Sequence, residues 1–256
     1  MAALAPKILE GKIALVTGAS RGIGRAIAVR LGAEGALVGV HYRKDEAAAK
    51  SCVAAIAAAG GAGFAIAADL AAHDGPERLF AAFDAALPQH DAKLDILVNN
   101  AGIGSRAPID TATGNEFDKL VAVNLRAPFF IMQKALPRLA DGGRIVNVTS
   151  TAARIGYAET PAYTATKAAL QALTLSVARR LGPRGITVNA VAPGATDTDM
   201  NALVRDPLSA KQIAGETILG RIGQPGDIAE VVTFLASDAA RWITGQVIEA
   251  SGGLRL

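Results

Sequence analysis

The chain has a single cysteine, Cys52, among its 256 residues. No intrachain disulfide and no cysteine-rich metal site can be built from it, and such usage fits a reducing, cytoplasmic setting. Of the three histidines, His41, His73 and His90, none stands at a metal-ligand spacing from another, so no metal site is expected. No Gly-x-Ser-x-Gly elbow occurs, which argues against a hydrolase of that kind. Nor is there a long uncharged apolar run. Residues 1–12 lack an apolar core of signal-peptide length, and the most apolar stretch, 47–68, carries Lys50 and Gly60-Gly61. A membrane span needs about 20 consecutive apolar residues, so no membrane association is expected. Basic residues are dispersed, with no run longer than Arg43-Lys44 or Arg179-Arg180, and the net charge is only +3. Nucleic-acid binding would need a basic patch or stripe, so none is expected.

Hydrophobic residues make up 51% of the chain, enough to cover a sheet on both faces. Short β-rich runs at 13–17, 36–42, 63–67, 94–99, 144–149, 187–191 and 246–250 alternate with helical stretches. These include a helix to about residue 33, another over 45–59, and a third from about 76 to 87. The strands are near-continuous apolar runs, as expected where helices cover both faces of a parallel sheet. The fold expected is α/β, a single doubly wound Rossmann-type domain over 1–256. Met132, Phe129 and Phe130 read as helix core.

The first strand runs directly into Thr17-Gly18-Ala19-Ser20-Arg21-Gly22-Ile23-Gly24. Glycines there permit a tight turn and close backbone approach, and the amides of the following helix form a ready site for a pyrophosphate. Cofactor choice is made at the end of the second strand, where an acid would hold a ribose 2′-hydroxyl. That end reads Val40-His41-Tyr42-Arg43-Lys44-Asp45, and Asp45 reads as a helix N-cap. Arg21 and Arg43 suit a 2′-phosphate instead, which favours NADP(H) over NAD(H). In Asp69-Leu70, the carboxylate either accepts from the adenine amino group or caps the next segment. Asn99-Asn100-Ala101-Gly102 ends the fourth strand, in the ligand crevice of such a sheet.

Tyr163 and Lys167 stand one helical turn apart near the start of a helix opened by Pro161, so phenol and ammonium share a face. A nearby cation lowers a phenol's pKa toward the range useful for proton exchange. Ser150 ends the fifth strand, thirteen residues earlier, where its hydroxyl can bond a substrate oxygen. Strand alternation lets only one side of the Thr149-Ser150-Thr151 trio face the crevice. Asn124 lies in a helical stretch, either as a holder of a relay water or as a helix-bending or capping amide.

In order and spacing these motifs resemble the compact branch of the short-chain dehydrogenases/reductases, from about residue 10 to the C-terminus. Within that family the chain is most similar to bacterial 3-oxoacyl-carrier-protein reductases and their ketoreductase relatives. The resemblance implies strand order 3-2-1-4-5-6-7, a homotetramer and a small carbonyl or alcohol substrate. It implies that Tyr163 gives the proton, Ser150 polarises the carbonyl, and Asn124 anchors a relay water. Lys167 would bond the nicotinamide ribose and lower the tyrosine pKa. Asn99, Ala101 and Gly102 would line the cofactor, with Pro193-Gly194 over the nicotinamide and Thr196 and Thr198 on its carboxamide. A substrate lid is expected at about 195–220, apolar in character through Leu203, Val204, Leu208, Ile213 and Ile218. The segment Ala195-Thr196-Asp197-Thr198 departs from the bulkier apolar residues usual there. Carrier-protein docking would need a basic residue at the mouth, for which Arg184 is a candidate; it also reads as a surface residue complementing a helix dipole. The competing readings are an NAD-dependent alcohol, polyol or steroid dehydrogenase and a dinucleotide-binding protein without turnover.

Overall fold

The computed structural model describes residues 7–87 and 92–256; residues 1–6 and His90 lie outside the described residues. A seven-stranded sheet has the order β3-β2-β1-β4-β5-β6-β7, and every pairing is parallel. The strands are β1 Ile13–Val16, β2 Leu37–Tyr42, β3 Ala62–Ala67, β4 Leu94–Asn99, β5 Leu139–Val148, β6 Thr187–Pro193 and β7 Val247–Ala250. Between them run α1 Gly22–Ala33, α2 Glu46–Ala58, α3 Gly75–Ala86, α4 Gly114–Val121, α5 Ala127–Ala135, α6 Ala152–Ile155, α7 Pro161–Leu181, α8 Pro207–Gly215 and α9 Pro225–Ala236. Among the described residues no helix is long and apolar enough to cross a membrane.

Two cores flank the sheet. On one face Ile27, Leu31, Cys52, Ile56, Ile228 and Val232 of α1, α2 and α9 close over Val16, Val38 and Val98. On the other, Leu79, Phe83, Ile131, Met132 and Leu181 of α3, α5 and α7 close over Leu15, Leu97 and Ile145. Burial on both faces is why the strand sequences barely alternate.

β5 starts earlier than its β-rich run, at Leu139, because Leu139 pairs with Leu94 across a register shift. Gly142, at φ +74°, absorbs the irregularity. The helix-core expectation for Phe129 and Phe130 needs correction. Met132 is buried, but the two phenylalanines are 45% and 38% exposed on the outer side of α5. With Val121, Leu125, Ala169, Ala172 and Leu173 they line an open apolar groove between α5 and α7.

A polar chain crosses the second core. Asn99 Nδ2 donates to Asn147 Oδ1 (2.8 Å), Asn147 Nδ2 to Thr174 Oγ1 (2.9 Å), and Thr174 Oγ1 to the Leu170 carbonyl (2.8 Å). It ties β4 and β5 to α7. Asn147→Leu leaves buried groups on Asn99 and Thr174 unpaired, and stability is expected to fall by about 2–4 kcal/mol in urea unfolding. An unchanged midpoint would remove the chain from the account of stability.

Candidate active site

The carboxyl ends of β1, β4, β5 and β6 converge where the strand order reverses, the place where open parallel sheets bind ligands. The turn after β1 holds Gly18 at φ +63° and Gly22 at φ +55°. A Cβ on Gly24 would collide with the Gly18 carbonyl and Asn100 Nδ2, and one on Gly18 would come within 2.9 Å of Ala101 Cα. Small residues are therefore demanded by the turn's own packing.

α1 has Arg21 at its N-cap with no side-chain cap, whereas Asp45 caps α2 and Thr113 caps α4. The first amides of α1 thus carry the positive end of the helix dipole without a protein acceptor, a fit for phosphate oxygens. Arg21 and Arg43 are exposed beside the turn, and neither guanidinium has a hydrogen-bond or ion-pair partner among the described residues. Two such cations beside an uncapped helix start suit a ligand with more than one phosphate. Ser20 is half-buried in the turn, while Ile23 and Tyr42 pack against the first core. Asp69 Oδ1 accepts from Ala71 N (3.0 Å), so the capping alternative is realised on that oxygen.

Two of the expected cofactor-lining residues have side chains engaged away from the crevice. Leu70 is buried in the second core, and the Asn99 amide is turned into the polar chain with Asn147. Each has only its backbone to offer the crevice. It is Asn100 whose side chain serves the turn, with Nδ2 donating to the Thr17 carbonyl (2.9 Å) and the Gly18 carbonyl (3.1 Å).

Thr149 and Thr151 are buried, and their hydroxyls donate to the Val191 and Pro193 carbonyls at 3.1 and 3.2 Å. Ser150 between them is left facing the crevice, where its oxygen accepts from Ala152 N (3.1 Å). Burial raises the tyrosine pKa, and the neighbouring Ser150 hydroxyl offsets only part of that rise. Lys167 approaches the tyrosine from one helical turn further on. Its Nζ lies 5.8 Å from the tyrosine ring centroid and donates to the Val148 carbonyl (2.9 Å). Burial pulls the ammonium itself down to about 8.

Asn124 sits in a π-helical turn, Ala122–Arg126, between α4 and α5. Such single turns recur at functional sites. Its Oδ1 accepts from Ile103 N and its Nδ2 donates to the Ile103 carbonyl, both at 2.9 Å, so it clamps the loop after β4. A Cβ on Gly102 would stand 3.3 Å from Asn124 Oδ1 and 3.4 Å from Lys167 Nζ. Glycine at 102 keeps the approach to both groups open.

Beyond β6, a Cβ on Gly194 would lie 2.9 Å from Ser251 Cα, so packing against the C-terminal segment requires this glycine too. Thr196 is buried and donates to the Gly194 carbonyl (3.1 Å). Thr198 stands against Gly22: a Cβ there would be 3.5 Å from its Cγ2. The segment after Pro193-Gly194 therefore folds back over the turn. Met200 reaches toward Gly104 across the opening, and Leu208, Ile218 and Leu219 are exposed.

Arg184 is not at this mouth. It precedes β6, at the amino ends of the strands, and donates to Asp141 Oδ1 (2.7 Å) and to the Leu136 carbonyl (2.8 Å). A helix-end arginine meets the nearest unpaired carbonyls, and here those belong to the loop entering β5.

The family profile described as enoyl-(acyl carrier protein) reductase matches residues 18–255. A 3-oxoacyl-[acyl-carrier-protein] reductase of Staphylococcus aureus is 43% identical over 245 residues, covering 95% of this chain and 98% of that protein. The crystal structure of an angucycline C-6 ketoreductase with bound NADP superposes with a TM-score of 0.92 at 44% identity, covering 97% of each chain. A reductase that catalyses keto-reduction at C1 during lugdunomycin biosynthesis gives a TM-score of 0.92 at 46% identity, covering 97% of this chain and 100% of that one.

Proposed function

The chain belongs to the short-chain dehydrogenase/reductase family, and from that premise we propose that it reduces a ketone to an alcohol at the expense of NADPH. The observation that carries the reading is the meeting of Ser150, Tyr163 and Lys167 at one crevice beside an uncapped helix start and two arginines without partners among the described residues. Bound NADPH supplies the hydride. Arg21 and Arg43 hold its 2′-phosphate, and the α1 amides hold its pyrophosphate. Backbone groups of Asn99, Ala101 and Gly102 would line its ribose side, and Pro193, Gly194, Thr196 and Thr198 would flank its nicotinamide end.

Ser150 already accepts from Ala152 N, so its proton is free to be donated to the ketone oxygen and orient it. Tyr163 gives its phenolic proton to that oxygen as the carbonyl carbon is reduced. A phenol held above its usual pKa stays protonated at neutral pH, the form that reduction consumes. Lys167 places a positive charge near the tyrosine as negative charge develops there, and Asn124 holds the loop that shapes this corner.

The segment 195–220 forms the substrate lid, and its exposed Met200, Leu208, Ile218 and Leu219 favour an apolar ketone. The groove between α5 and α7, with Phe129 and Phe130, is the face we assign to self-association toward a homotetramer. Arg184, at the far end of the sheet, gives no support to carrier-protein docking at the mouth.

The test is a substrate panel with NADPH: a short 3-oxoacyl thioester, a polycyclic aromatic ketone and an enoyl thioester. Consumption of NADPH with either ketone is expected. Turnover of the enoyl thioester alone would replace carbonyl reduction by alkene reduction.

The pH profile follows from Lys167. For reduction, kcat/KM is expected to fall as pH rises through about 8, as the ammonium loses its proton while the tyrosine keeps its own. Stability should move the other way. Between about 8 and 10.5 the unfolded chain binds the proton that the folded lysine has lost, so stability rises with pH across that window. A descending limb that begins only in the tyrosine's own range would contradict this assignment.

A further inference from the structure

We propose that His41 is a positioning residue for the dinucleotide, a neutral imidazole strut that sets the direction of the Gly18 amide and ties the phosphate turn to the loop after β3. The inference rests on the dinucleotide reading of the crevice. His41 is the penultimate residue of β2 and is 3% exposed. Its Nδ1 faces Gly18 N at 2.9 Å, and its Nε2 faces the Ala68 carbonyl at 3.1 Å. A backbone amide can only donate and a carbonyl can only accept. Nδ1 is therefore the bare, accepting nitrogen and Nε2 carries the proton, so one neutral tautomer satisfies both contacts.

A glycine turn needs such a strut. Glycine adopts either sign of φ with nearly equal ease, so the Thr17–Gly18 peptide has no intrinsic direction. Its orientation is imposed from two sides. Asn100 Nδ2 takes the Thr17 and Gly18 carbonyls, and His41 takes the Gly18 amide. The backbone of the same residue adds a stitch, since Ala19 N donates to the His41 carbonyl (2.8 Å). On its far side the ring holds Ala68, immediately before Asp69, and the next residues along β2 are Tyr42 and Arg43. One buried side chain thus fixes the phosphate turn relative to the loop after β3, beside the arginine assigned to the 2′-phosphate. It touches neither Ser150 nor Tyr163, so its effect belongs to cofactor binding and not to the chemical step.

The experiment compares wild type, His41→Leu and His41→Asn by titration with NADPH and NADH, with steady-state kinetics alongside. Without its acceptor for Gly18 N, His41→Leu should weaken both cofactors in parallel by about tenfold or more, with kcat at saturating cofactor within about twofold and the ketone KM unmoved. The Oδ1 of Asn restores an acceptor on the Gly18 side, so His41→Asn should recover to within about threefold of wild type. In the unaltered protein, nitrogen NMR of the imidazole should report the Nε2–H tautomer. Undiminished cofactor binding in His41→Leu with only a lower Tm would reduce His41 to core packing and overturn the proposal. An Nδ1–H or doubly protonated ring at neutral pH would overturn it too, even if His41→Leu failed to fold. Absence of NADPH and NADH binding by the wild type would instead defeat the dinucleotide reading beneath it.

Discussion

Tyr163→Phe is expected to cut the rate of ketone reduction by about 10³-fold or more, while NADPH binds as tightly as in the wild type. The phenolic hydroxyl is the group at this crevice placed to give a proton to a carbonyl oxygen. Ser150 can orient but is a far weaker acid, and the Lys167 ammonium is committed to the Val148 carbonyl. Removing one oxygen leaves the ring, its packing and the helix intact, so the loss should fall on kcat. Positioned acid–base groups contribute about 10²–10⁴-fold, and the expected loss lies within that range. Binding measured in parallel separates a lost proton donor from a disturbed fold. Near-normal turnover in Tyr163→Phe would remove the tyrosine from the chemistry.

The second large effect concerns cofactor choice. Arg21→Ala and Arg43→Ala should each weaken NADPH by about tenfold, and together by about 10²-fold, with NADH almost untouched. Each change deletes a charge-assisted bond to the one group that distinguishes the two cofactors. Both side chains are exposed, so the lower end of the usual 1.5–3 kcal/mol for such bonds is expected. Because neither arginine is engaged by another described residue, the substitutions should leave stability nearly unchanged. A parallel loss for NADH would mean that these cations serve the shared pyrophosphate. No loss for either would make them solvated surface.

The features legible in the sequence are those written locally. Parallel strands buried on both faces must be apolar throughout, so the seven runs declared the sheet. The glycine turn and the Tyr163/Lys167 pair are short-range patterns whose geometry follows from one turn or one helix. What escaped depends on partners distant in the chain. His41 stands on the strand face opposite Val38 and Val40, and its role appears only when Gly18, 23 residues earlier, is folded against it. Asn99 and Asn100 are adjacent and similar, yet alternation sends the first into the core and the second to the turn. Phe129 and Phe130 look like core until the open groove between α5 and α7 is seen. The acidity of Tyr163 escaped for another reason. Helical spacing brings the lysine close, but burial of both groups decides the sign of the shift.

The central claim, hydride transfer from NADPH to a ketone carbon, is tested most directly with NADPH carrying deuterium at both C4 positions of the nicotinamide. The protein is incubated with this cofactor and the ketone, and the product is read by mass spectrometry and NMR. The account predicts an alcohol with one deuterium on the carbinol carbon. NADPH consumption without label at that carbon, or no consumption with any ketone while the cofactor binds, would contradict it.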